Sequence, residues 1–159
     1  MAAISEQHID VLKELINIGA GRGADVLNSF LNSHVELNIP DVRILKYEEL
    51  DQEITDNTSS SLSSVEMKFA GPVNGAAELI FLSADASRLV ELITGDQDFE
   101  EDFDAVKSAT FSEVGNIVIN SVLGALSNEL TFRLEFSIPT YIEGSIKELL
   151  SLLEHEDTE

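Results

Sequence analysis

Apolar residues recur at helical spacing from His8 to about Asn32, at Val11, Leu12, Leu15, Ile16, Gly19, Val26, Leu27 and Phe30. That period predicts one long amphipathic helix, with Ser5 placed to cap its first turn. A two-residue alternation follows, Val35, Leu37, Ile39 and then Val42, Ile44, which reads as a strand interrupted by Pro40 and Asp41. Asp51 to Ser61 is polar and reads as a surface loop. Leu62 to Ala70 and Ala76 to Leu82 flank Gly71-Pro72-Val73-Asn74-Gly75, the chemistry of a turn between two antiparallel strands. A short helix over Ala84 to Thr94, ended by Gly95, leads through the acidic run Asp96 to Asp104 to a second long helix, about Ala105 to Glu129. A strand from Phe132 to Ile138 and a helix from about Ser145 to Leu153 complete the expected elements, with His155 to Glu159 as a frayed acidic tail.

The two long helices carry the same polar pattern. Glu14, Asn17 and Pro40 recur as Glu113, Asn116 and Pro139, each pair offset by 99 positions. The same offset matches apolar with apolar: Ile18 with Ile117, Leu27 with Leu126, Leu31 with Leu130, Val35 with Leu134, Leu37 with Phe136 and Ile39 with Ile138. We read a single domain over 1–159 with an internal pseudo-repeat, about 5–45 and 104–144. An α+β fold is expected, an antiparallel sheet with two long pseudo-symmetric helices on one face, because each helix must bury its apolar stripe against something flat.

At about 100° per residue, Asp10, Glu14, Asn17, Gly21, Asp25 and Asn28 form one strip of the first helix, and Leu12, Leu15, Ile16, Gly19, Val26 and Phe30 are expected on the opposite, core side. In the second helix Glu113, Asn116 and Asn120 lie on one side and Phe111, Val114, Val118, Val122 and Ala125 on the other. For one copy alone, Glu and Asn are ordinary surface residues of an amphipathic helix. Two copies need a further reason, since Asn costs roughly half a kcal/mol relative to Ala inside a helix.

Composition narrows the function. Thirty acidic against nine basic residues give a formal charge of −21, which repels phosphate backbones and anionic lipid, so neither nucleic acid nor a membrane is expected as a partner. The same excess suits a partner that presents Lys or Arg. No cysteine is present, which excludes disulfides and thiol chemistry, and the N-terminal ten residues lack the pattern of a signal peptide, so a cytoplasmic protein is expected. Gly19-Ala20-Gly21-Arg22-Gly23 lies within a helix with no strand before it, so it reads as close packing or partner approach rather than a nucleotide loop. His8, His34 and His155 lack ligand spacing, so no metal is expected. Ser59 to Ser61, Ser63 and Ser64 make no nucleophile pattern with a base and read as turn and solvent residues.

The pattern Asp or Ser, three residues, Glu, two residues, Asn, twenty-two residues, Pro resembles the signature of the CheC, CheX and FliY phosphatases of chemotaxis. Asp10, Glu14, Asn17 and Pro40 make a complete first copy, and Leu12 to Gly21 and Ser112 to Ile117 are similar to the first and second helices of CheC. The second copy departs from the signature, with Ala109 where Asp or Ser is expected. The chain also stops soon after its last predicted helix, where CheC-like proteins continue into further strands, which leaves an open sheet edge and makes a homodimer a plausible assembly.

The resemblance implies hydrolysis of the aspartyl phosphate on a response-regulator receiver domain such as CheY-P. An acyl phosphate needs little beyond a water held in line with phosphorus, and a carboxamide can donate to and accept from one water. Asn17 and Asn116 are then the catalytic amides, with Glu14 and Glu113 accepting from a receiver lysine and Asp10, Gly21 and Asn120 lining the docking surface. The protein needs no cofactor of its own, because Mg²⁺ belongs to the receiver's acidic pocket. The alternative reading is an adaptor that binds a receiver, a CheD-like deamidase or the flagellar switch without catalysis.

Overall fold

Helix α1 (Glu6–Leu31) begins where Ser5 and His8 satisfy one another's free backbone amides. His8 N–H donates to Ser5 Oγ at 3.4 Å and Ser5 N–H donates to His8 Nδ1 at 3.1 Å, a reciprocal cap that sets the start two residues ahead of the apolar periodicity. Asn32 ends the helix in the left-handed conformation, φ 49°. The structure, a computed structural model, describes residues 4–39, 41–46, 49–50, 61–95 and 102–154. Pro40, most of the loop expected over 51–61, most of the acidic run 96–104 and the tail 155–159 lie outside the described residues.

Strands β1 (Leu62–Ala70) and β2 (Gly75–Leu82) form the expected hairpin, in register from Leu62 opposite Leu82 to Phe69 opposite Gly75. Gly71 N–H donates to Asn74 Oδ1 at 3.1 Å and closes its turn. On its other edge β1 pairs antiparallel with β3 (Glu135–Phe136) and β4 (Thr140–Gly144). The strand expected over Phe132 to Ile138 is therefore two short strands, the second lying beyond it. Pro139 has no N–H for the ladder, and Ser137 bridges the gap by donating its N–H to Lys68 O and accepting from Lys68 N–H at its Oγ, both at 2.9 Å.

The strand expected over Val35 to Ile44 is not formed among the described residues, which run outside any ladder. A strand has two edges, and those of β1 are taken by β2 and by β3 with β4. Val35 N–H instead donates to Asn28 Oδ1 of α1.

Helices α2 (Ser83–Thr94) and α3 (Phe103–Glu129) cover one face of the sheet, where Val65, Ala86, Val90 and Phe111 make a fully buried core with the Phe81 ring edge-on to Phe111 at 5.2 Å. Helix α4 (Ile146–Glu154) covers part of the other face, packing Ile146 and Leu149 on Leu62. Ser145 and Glu148 cap it. Ser63 and Ser64, expected in solvent, are fully buried inside β1 because the strand begins at Leu62.

Helix α1 rests on α3 rather than on the sheet. Its buried residues are Gly19, Ala20, Gly23, Ala24 and Leu27. The core side is thus about 110° from the motif strip rather than opposite it. Val26 and Phe30, expected in the core, remain about half exposed, at 49% and 47%, because a single neighbouring helix covers only one flank. Helix α3 touches α1, α2, β1, β2 and β4. That placement accounts for its being the one helix, among the described residues, apolar and long enough by composition to cross a membrane.

The α1–α3 crossing is close and two-fold in character. A Cβ on Gly19 would lie 2.5 Å from Val122 Cα, and one on Gly23 would lie 3.6 Å from Val118 Cα, so the helices run antiparallel. Val118 and Val122 are the 99-residue counterparts of Gly19 and Gly23, so each contact has its mate on the other helix, as a dyad requires. On its sheet side, α3 approaches β1 so closely that a Cβ on Gly115 would lie 2.4 Å from Val65 Cγ1.

On the face of the sheet away from α3, Glu66 and Glu78 stand directly opposite each other across β1 and β2. Burial, and then the charge of Glu66, push Glu78 up to about 7 from 4.5, against a smaller opposing pull from the Ser64 hydroxyl.

Two outcomes follow from this packing. Gly115→Ala is expected to lower stability by about 1–3 kcal/mol through overpacking against Val65. Gly124→Ala, whose new Cβ meets no atom within 4 Å, is expected to raise it by up to about 1 kcal/mol through helix propensity. Urea midpoints of both variants measure this. For Glu78 the folded state keeps a proton that the unfolded chain has lost between about pH 4.5 and 7, so stability falls as pH rises through that window and the full cost stands above it. Glu78→Gln is expected to be more stable than wild type above pH 7 and to lose that advantage on acidification, read as the difference between the two urea midpoints from pH 4 to 8.

Candidate functional site

The two motif copies sit on the outer strips of the crossed helices. Gly21 and its counterpart Asn120 lie midway between the paired contacts of the dyad, and from there Asn17 and Asn116 are four residues back along antiparallel axes. Their axial separation is therefore about 12 Å, and Glu14 and Glu113 lie further apart still. The crossing thus holds the two motif copies apart. Glu14, Glu113 and Asp10 are exposed, and Asn17, Asn116 and Asn120 are half-buried. Ala109, in the place of the missing polar residue, is exposed. A Cβ at Gly21 would meet nothing within 4 Å.

The two amides differ in their bonding. Asn17 Oδ1 accepts from Ile39 N–H at 3.1 Å, and Asn17 Nδ2 donates to Lys13 O at 3.1 Å and to Ile39 O at 3.5 Å. These partners fix the amide's orientation, since an N–H demands the oxygen and the carbonyls demand the nitrogen. Asn116 Oδ1 accepts from Asn120 Nδ2 at 2.7 Å, and its own Nδ2 donates to no described residue. Ile138, the counterpart of Ile39, is 85% exposed, because Ser137 and the β4 ladder hold that segment to β1. Asn120, placed by the sequence pattern on the docking surface, thus also orients Asn116.

A polar network anchors the N-terminal half of α3, ahead of Glu113. Lys107, buried, pairs with Glu143 of β4, and Tyr141 OH donates to Glu143 Oε1 at 2.8 Å and lies 3.1 Å from Ser63 Oγ. Desolvation pulls Lys107 down, but its hydrogen bond to Glu143 and the neighbouring Tyr141 outweigh this and hold it above its ordinary value. The same hydrogen bond holds Glu143 below the usual carboxylate range. The sequence reading missed this network. Its one signal is a lysine at position 107, one helical turn before Phe111 on the core stripe. No group of three or more metal-ligating side chains occurs among the described residues.

Chemically, each copy offers an exposed carboxylate for a cationic side chain and, one turn along, a carboxamide. No nucleophile with an adjacent base accompanies either pair among the described residues.

Comparison with known proteins gives this surface a context. No family model matches the chain. Over 139 residues it is 29% identical to the CheY-P phosphatase CheC of Bacillus subtilis, an alignment covering 86% of this chain and 66% of CheC, just under two thirds of that protein. The fold is similar to that of FliY from Thermotoga maritima, with a TM-score of 0.74 and 20% identity over 93% of this chain and 74% of the FliY chain. CheX of Borrelia burgdorferi, solved in complex with CheY, BeF3 and Mg²⁺, matches with a TM-score of 0.58 and 20% identity over 86% of this chain and 81% of that one. The chain is thus similar in sequence to CheC and shares its fold with FliY and CheX.

Proposed function

We propose that this protein is a phosphatase of response-regulator receiver domains, hydrolysing an aspartyl phosphate of the CheY-P kind. The observation that carries the reading is the pseudo-symmetric pair of Glu and Asn side chains, one helical turn apart, on the outer strips of two crossed helices. Their likeness to CheC, a CheY-P phosphatase, supports it. So does the structural likeness to CheX, which was solved bound to CheY.

The substrate sets a modest chemical demand. An aspartyl phosphate is an activated acyl phosphate, so the task is to hold a water in line with phosphorus and to exclude other geometries. Asn116 suits that task because its Nδ2 is uncommitted among the described residues, and its Oδ1, already accepting from Asn120, keeps a second lone pair for the water's proton. Glu113, exposed one turn away, accepts from a lysine of the receiver and sets the approach. Glu14 and Asn17 make the equivalent pair of the first copy, with Asp10 and Gly21 beside them. The protein supplies no metal, and Mg²⁺ enters with the receiver. The acidic surface steers a basic docking face.

A second reading, an adaptor that docks a receiver without turnover, is favoured at the first copy by the engagement of Asn17 with its own chain while Glu14 stays exposed.

Phosphate release from a phosphorylated receiver tests the proposal. The wild type is expected to accelerate release, and the Asn17→Ala/Asn116→Ala double variant to fall by about a hundredfold or more toward the receiver's own rate. Glu113→Ala is expected to raise KM with a smaller effect on kcat, since the lost contact serves docking. Binding of the phosphorylated receiver by wild type without faster release would establish the adaptor reading instead.

A further inference from the structure

We infer that the return segment Val35–Ile39 is an autoinhibitory latch that withholds the first motif copy from its partner. The inference rests on the phosphatase reading and concerns the regulation of one of its two sites.

The latch is built from two contacts on α1. Val35 N–H donates to Asn28 Oδ1, and Ile39 exchanges a donor and an acceptor with the Asn17 carboxamide. Asn28 and Asn17 lie on the same strip of the helix, three turns apart, so the segment runs back along the strip that carries Glu14. Three of the four hydrogen-bonding positions of the Asn17 amide are thereby occupied: both N–H groups, by Lys13 O and Ile39 O, and one of two oxygen lone pairs, by Ile39 N–H. An amide so committed cannot take up a new water in a geometry set by phosphorus without first releasing Ile39.

The second copy shows the open arrangement within the same molecule. Its return segment is held by the β1 ladder and by Ser137 on Lys68, and Asn116 makes no bond to Ile138. The difference has a physical origin. Both edges of β1 are filled by β2 and by the second copy's own β3 and β4, so the first copy's equivalent segment finds no strand partner among the described residues and satisfies its backbone on α1 instead. A buried or half-buried amide N–H must find an acceptor, and that of Ile39 finds the motif asparagine.

Freeing the latch therefore requires that Ile39 N–H lose its acceptor or gain another. Ile39→Pro removes that N–H while keeping the extended backbone expected ahead of Pro40. In an Asn116→Ala background, which leaves only the first copy, phosphate release from the phosphorylated receiver is expected to be low. Adding Ile39→Pro is expected to raise it by about tenfold, as the competent state of the first site becomes populated. Ile39→Ala, which keeps the N–H, is expected to leave the Asn116→Ala rate low. The latch is overturned if Asn116→Ala alone retains about half of the wild-type rate, if Ile39→Pro adds nothing to it, or if Ile39→Ala raises it as much as Ile39→Pro does. Nuclear magnetic resonance of the wild-type protein gives a readout independent of activity and of folding of the variants. The Asn17 side-chain amide protons are expected to exchange with water more slowly than those of Asn116, and equal rates overturn the latch. Should wild type accelerate no phosphate release, the phosphatase reading fails, and the amide exchange still decides whether the latch exists.

Discussion

The close crossing of α1 and α3 is the constraint on which the rest of the structure depends. Two helices approach within van der Waals contact of backbone only if no Cβ stands between them, and Gly19 removes the one that would strike Val122 Cα. That crossing generates the dyad, and the dyad places the two motif copies at opposite ends of one surface. Glu14 with Asn17 and Glu113 with Asn116 are held by the same contact, each about equally far from the axis. Each copy is supported by one of the paired contacts, Gly19 with Val122 and Gly23 with Val118.

The symmetry is broken below the helices. Helix α3 has a sheet beneath it, with Gly115 seated on Val65 and Phe111 in the core between β1 and α2, whereas α1, among the described residues, rests chiefly on α3. Among the described residues, the β1–β2 hairpin serves the second copy. Three structural differences between the copies follow from this one-sidedness: the exposure of Val26 and Phe30, the absence of a strand among the described residues of 35–44, and the engagement of Asn17 by Ile39. A complete signature in the first copy and an incomplete one in the second do not map onto which amide is available. The copy that carries Ala109 keeps its amide donor uncommitted among the described residues, and the copy that carries Asp10 does not.

Polar groups inside this fold are concentrated where elements meet. Lys107, Glu143, Tyr141 and Ser63 join the start of α3 to β4 and β1 in a network whose charges are mutually compensated, so its cost of burial is offset by hydrogen bonds. Glu66 and Glu78, by contrast, face each other across the strand pair, and burial, followed by the charge of Glu66, pushes Glu78 up to about 7. The chain's large negative charge is therefore not a uniform surface property, since part of it is folded into strand pairs.

What the sequence alone determined is local in character. Helical and strand periods, the cap at Ser5, the hairpin turn around Gly71 to Gly75, and the doubled Glu and Asn spacing are properties of neighbouring residues, and the long helices, the cap and the hairpin appear in the structure where the pattern placed them, whereas the strand period over Val35 to Ile44 forms no strand among the described residues. The repeat and its resemblance to CheC were legible for the same reason, as a periodicity within the chain. Only the tertiary structure decided which flank of α1 is buried, whether Val35 to Ile44 becomes a strand, that a serine pair lies inside β1, and which motif asparagine is left with a donor to offer. Those outcomes depend on how many edges a single hairpin presents and who fills them first, and that competition between distant segments leaves no trace in local periodicity.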